Sequence, residues 1–98
     1  MTAEPVVLTA ELFARHLGQA FRVDGGPHVL TLTKVETSPK EAWQTRAAFL
    51  LLFSGPPGDI VAEGMRTITL DDGTAYDLYL IPIHTPAPGR QDYQAVFN

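Results

Sequence analysis

Residues 67–83 read Thr67-Ile-Thr-Leu-Asp-Asp-Gly-Thr-Ala-Tyr-Asp-Leu-Tyr-Leu-Ile-Pro-Ile83. Apolar side chains alternate with polar ones on both sides of Asp71-Asp72-Gly73. A half-buried strand has this period of two, because successive side chains leave opposite faces of the backbone. Asp-Gly between two such runs marks a hairpin, since the tight turn needs a positive φ that glycine adopts without steric cost. The segment therefore predicts two antiparallel strands, Gly64–Leu70 and Thr74–Ile83. Pro82 lies near the end of the second, where a missing N–H is tolerated only at an edge, a bulge or a terminus.

Working outward, three further stretches carry strand patterns. Gln19–Val23 places Phe21 and Val23 on one face, and Asp24-Gly-Gly-Pro27 supplies a turn. His28–Glu36 is rich in β-branched residues, with Leu30 and Leu32 on one face and Val29, Thr31, Thr33 and Val35 on the other. Ala47–Phe53 is continuously apolar, the pattern of a central strand covered on both faces, with the helix described next or Trp43 over the second face. The chain closes on Gln91–Asn98, where Tyr93, Ala95 and Phe97 alternate with Gln94 and Val96. Gly55-Pro-Pro-Gly58 and Thr85-Pro-Ala-Pro-Gly89 interrupt the ladders, because proline cannot donate to them.

One helix is expected, from Thr9 to Gly18. Thr9 suits the N-cap, Glu11 the positive first turn and Gly18 the stop. Leu8, Leu12, Phe13 and Leu17 share one side at helical spacing. About two turns do not persist alone in water, so this helix must dock, and a plug at one end of a β core is the simplest use for it. The sum is a single domain over residues 1–98, mainly β: a small antiparallel barrel or sandwich of about six strands with one short N-terminal helix.

Composition narrows function mainly by exclusion. Seven basic side chains stand against eleven acidic ones, a formal net charge of −4, and no two of the basic residues are adjacent. Nucleic-acid binding needs a clustered basic face, so no nucleic-acid partner is expected. With no cysteine, disulfides, thiolate metal sites and a cysteine nucleophile are excluded. The N-terminus has neither the basic nor the apolar region of a secretory signal. The longest apolar run, Ala47–Phe53, falls far short of the roughly 20 residues a spanning helix needs. A soluble cytoplasmic protein with no membrane partner is the expectation.

No motif for catalysis or cofactor binding is present. His16, His28 and His84 are far apart, without the short spacings by which metal ligands share a helix turn or strand face. Asp71-Asp72 is explained by turn chemistry, and a calcium loop needs more oxygen ligands at set intervals. Ser38 and Ser54 are the only serines, and neither lies in a nucleophile-elbow pattern. No catalytic, cofactor-binding or metal residue is therefore assigned, and no enzyme activity is expected. Three residues mark a candidate interaction or ligand surface. Trp43 is either a lid on the core or a binding aromatic. Asp77 shares a face of the second hairpin strand with Ala75, Tyr79 and Ile81, and is either a rim or partner-facing residue or an exposed charge.

The quoted segments also resemble a family of small bacterial proteins catalogued as a domain of unknown function. The resemblance runs through Leu12-Phe13, His16, Gly18 and Phe21-Arg-Val23. It continues through Phe49-Leu-Leu-Leu-Phe-Ser-Gly-Pro56, Leu80-Ile-Pro-Ile83 and Tyr93-Gln-Ala-Val-Phe-Asn98. It covers nearly the whole chain and implies an accessory or assembly role beside phage-tail-like proteins, with no functional residues to transfer. The expected function is a non-catalytic structural or protein-interaction module, with a protein partner or a homodimer formed through a strand edge or an aromatic patch. The alternative is a small-ligand-binding barrel whose pocket is lined by Trp43, Tyr76, Tyr79 and phenylalanines.

Overall fold

A computed structural model describes residues 8–24, 26–37, 48–58, 60–84 and 89–97. Trp43 and the rest of the Ser38–Arg46 excursion lie outside the described residues, as does most of the Thr85–Gly89 turn. Among the described residues one helix, α1 (Ala10–Ala14), precedes six strands: β1 (Ala20–Val23), β2 (Val29–Thr37), β3 (Phe49–Gly55), β4 (Gly64–Thr69), β5 (Ala75–Ile83) and β6 (Gln91–Phe97). All pair antiparallel, in the order β1-β2-β3-β6-β5-β4, and the sheet closes into a barrel through β1 and β4. Of the two expected architectures, the barrel is the one formed. Closure gives every strand a neighbour on both sides, so no strand is a free edge along its whole length.

The β4–β5 hairpin forms as its alternation requires. Gly73 at φ +91° donates to the Leu70 carbonyl at 3.0 Å, and Leu70 donates to the Thr74 carbonyl at 2.8 Å. The three-residue loop Asp71-Asp72-Gly73 thus ends on glycine in the left-handed region. Counting back from this turn sets Thr69 opposite Ala75, Thr67 opposite Asp77 and Met65 opposite Tyr79. Ile68, Tyr76, Leu78 and Leu80 then all face the core. Pairing with β4 ends at Gly64–Leu80, so Pro82 falls where β5 has only β6 beside it, opposite Tyr93. Its missing N–H is accommodated there.

Three sequence expectations change. The helix is shorter than Thr9–Gly18: Arg15–Gly18 is a turn, and Leu17 is 47% exposed instead of docked. Gly18, at φ +82°, donates to the Leu32 carbonyl at 2.8 Å, which sends the chain into β1 before a second helical turn can form. In β2 the register shifts between Leu32 and Lys34, and Val35 packs against the core instead of sharing the outer face of Val29 and Thr31. A bulge adds one residue to the strand and so reverses the alternation beyond it. In β3, Phe49, Leu51 and Phe53 are buried, while Leu50 and Leu52 point outward and are half-buried. The helix does not cover the outer face of β3; it closes the barrel end.

That plug is built around Phe13, which is fully buried. Its ring lies 5.2 Å from Tyr76, 6.0 Å from Phe97 and 6.2 Å from Phe49, between centroids. Phe49 and Phe97, directly opposite each other on β3 and β6, stack at 4.5 Å with 7° between their planes. Thr9 caps α1 as expected, its hydroxyl accepting from Leu12 N at 3.1 Å. Deeper in the barrel, Phe21 meets Phe53 edge-on at 5.8 Å. Tyr93 is buried, and its hydroxyl accepts from Val61 N at 3.0 Å, tying the segment before β4 to β6.

Candidate interaction surface

Because Tyr76, Leu78 and Leu80 point inward, their neighbours on β5 must point out. Tyr79 is 45% exposed and Met65, its cross-strand partner, 63% exposed. Two large apolar side chains thus stand side by side on the outside of the hairpin. The Tyr79 hydroxyl donates to Glu63 Oε2 at 2.7 Å. This bond raises the tyrosine pKa above its ordinary value, because ionisation would leave the phenolate facing a carboxylate. Two register pairs away, on the same face, Thr67 Oγ1 donates to Asp77 Oδ1, which orients the second carboxylate of this face.

Asp24 adds a third. It sits at φ +50° directly after β1, a conformation aspartate adopts more readily than most residues. Its backbone N donates to the Thr67 carbonyl at 2.7 Å, and its Oδ1 accepts from Thr67 N at 2.9 Å. Arg66 donates through Nη1 to Asp24 Oδ2 at 3.2 Å and through Nη2 to the Ala62 carbonyl at 2.7 Å. Asp24, Met65, Arg66, Thr67 and Asp77 line a shallow recess of about 270 Å³. The nearby positive charge is consequently already engaged, whereas Glu63 and Asp77 accept only from neutral hydroxyls in these bonds. The surface as a whole is apolar in the middle and acidic at its margin.

Of the three residues singled out from sequence, Asp77 and Tyr79 occupy this one face, and Trp43 is outside the described residues. Sequence reading missed Met65 and Glu63. The signal for Met65 was present in the register: counting outward from Asp71-Asp72-Gly73 sets residue 65 against residue 79. The pocket imagined inside a ligand-binding barrel is not assembled this way. Tyr76 faces the core and Tyr79 the outside, so the two cannot line one cavity, and buried side chains form a continuous core cluster.

The histidines lie apart. His16, at the end of the α1 turn, places Nδ1 3.1 Å from Gln19 Oε1 and Nε2 3.4 Å from the Tyr76 hydroxyl. His28 is half-buried before β2, and His84 is exposed after β5. Among the described residues no group of three or more histidine or carboxylate side chains is placed to hold a metal ion. Asp72, at the hairpin tip, has its pKa lowered chiefly by the Thr74 backbone N–H, which donates at 2.8 Å, and by the Thr74 side chain. Both bonds favour the ionised carboxyl in its turn role. On the opposite side of the barrel, Thr33, Lys34, Leu52, Ser54, Arg90 and Asp92 line a recess of about 510 Å³. There Lys34 pairs with Glu36 at 2.6 Å and Arg90 with Asp92 at 2.9 Å.

A closed six-stranded antiparallel barrel plugged by one helical turn, with side chains filling its interior, is a small all-β domain. No helix among the described residues is long and apolar enough to cross a membrane. Residues 8–97 match the family described as Domain of unknown function (DUF6916), and the chain belongs to that family. The match covers nearly the whole chain, as the sequence resemblance to such a family led one to expect. No curated protein and no solved structure matches it.

Proposed function

We propose that this domain is a non-catalytic protein-interaction module that docks through the outer face of β4 and β5. Its partner is a protein surface offering aliphatic side chains beside lysine or arginine. The observation that carries this reading is the exposed Met65–Tyr79 pair, set among the carboxylates of Glu63, Asp77 and Asp24. Exposed aromatic and methionine side chains are enriched where proteins meet, and an acidic margin favours a basic partner. The net charge of −4 acts in the same direction at longer range. A cytoplasmic site of action and an accessory place in a tail-like assembly are part of the proposal; both rest on the sequence reading alone.

The test is affinity purification from the native host, compared between the parent protein and a Met65→Ser/Tyr79→Ser double variant. A recurring partner is expected with the parent, weakened as salt rises, and lost in the double variant. Val29→Ser, an exposed apolar site on β2, should leave capture intact. A protein that light scattering finds monomeric, with no recurring partner, would remove the proposal. So would capture that survives the double substitution.

A further inference from the structure

The barrel is stitched unevenly. β2 and β3 share six register pairs, β3 and β6 seven, and β4 and β5 six. By contrast β1 and β4 share two pairs, β5 and β6 three, and β1 and β2 three. Two of these three short seams, β1–β4 and β5–β6, join the β4–β5 hairpin to the rest of the barrel, and the third lies within that remainder. Each hairpin seam is supplemented by a side-chain clasp. Asp24 extends the first by bonding Thr67 and Arg66, and Gln91 Nε2 donates to the Ile83 carbonyl at 2.9 Å across the second.

We infer that the β4–β5 hairpin is a separately opening unit, which leaves the β1-β2-β3-β6 strands along the β1–β4 and β5–β6 seams while its own six-pair ladder stays intact. In sequence the hairpin is bounded by Gly55-Pro-Pro-Gly58 on one side and Pro86-Ala-Pro88-Gly89 on the other. Segments with few cross-links to the remainder open with less free energy than the whole domain, so the cooperative unit follows the seams. Opening uncovers Ile68, Leu78 and Leu80, all buried in the closed barrel. The inference is independent of any partner.

Amide hydrogen exchange on the full chain tests it. The hydrogen-bonded amides of β4 and β5 should exchange as one group, at least about tenfold faster than those of β3, which is paired on both sides. Cysteine pairs at facing seam positions provide the control, because facing residues on antiparallel strands have the spacing a disulfide needs. Arg22→Cys with Thr69→Cys would lock one seam, and Ile81→Cys with Gln94→Cys the other. The chain has no cysteine to interfere. Oxidation should narrow the gap between hairpin and β3 amides, and reduction should restore it. Equal protection of β3 and the hairpin in the parent protein would overturn the inference, as would a gap that oxidation leaves unchanged in both locked variants.

Discussion

Replacing Phe13 by alanine should release the plug that closes the barrel. A buried phenylalanine removes roughly 150–250 Å² from water. At about 25 cal/mol per Å² this gives roughly 4–6 kcal/mol, an upper bound because unfolded chains are already partly compact. Measured Phe→Ala changes in cores fall at about 3–5 kcal/mol. The upper half of that range is expected, because α1 has only five residues and no means of staying helical once its anchor is gone. Leu8 and Leu12, which pack on the same core cluster, would then lose their contacts as well. Against a total stability of about 5–15 kcal/mol for a domain this size, such a loss is severe. Phe13→Leu keeps most of the volume and should cost only about 1–1.5 kcal/mol, which keeps the experiment readable if the alanine variant does not fold. Urea unfolding followed by far-UV circular dichroism gives both values, with Leu17→Ala as an exposed control. A Phe13→Ala loss below about 1 kcal/mol, or one equal to that of Leu17→Ala, would refute the plug as a structural element.

Gly55→Ala should destabilise by about 1–3 kcal/mol in the same assay, since a Cβ there would lie 2.6 Å from Leu30 Cδ2 in a packed core. Asp24→Ala should cost about 1–2 kcal/mol by losing the bond to Thr67 N and by placing alanine at positive φ. Asp24→Asn, which keeps an acceptor and tolerates that φ, should cost less than Asp24→Ala; an equal cost would argue against the clasp. Ultraviolet titration should find one tyrosine ionising above its ordinary range, and Glu63→Gln should return it toward that range. Because the folded pKa is raised, this bond contributes stability below pH 10 and loses it as pH climbs through the folded value. Identical titration curves for parent and Glu63→Gln would show that the Tyr79–Glu63 bond does not form in solution.

What could be read along the chain is what neighbouring residues settle between themselves. The Asp71-Asp72-Gly73 turn, the alternation through Thr67–Ile81 and the Thr9 cap each depend on contacts a few residues apart, and each appears where the sequence placed it. The alternation from that turn also sets Asp77 and Tyr79 on one face of β5, opposite to Tyr76, although only the closed barrel shows that this face is the outer one. The same register sets Met65 opposite Tyr79, whereas Glu63 precedes β4, outside the ladder, and its bond to Tyr79 depends on the course of that segment.

The remaining features depend on distant partners. Val35 turns inward because β2 meets β3 with a bulge, and nothing in residues 28–36 alone reveals where that pairing must slip. Ala47–Phe53 reads as a strand covered on both faces, yet a closed barrel needs only one face filled, and Phe49, Leu51 and Phe53 fill it. The choice between barrel and sandwich turned on two pairs between β1 and β4, more than forty positions apart, reinforced by Asp24 reaching Thr67. Strand identity is a local balance of backbone preference and periodic burial, whereas closure, bulge and plug are set by which surfaces meet. Those meetings are decided only when the whole chain has folded.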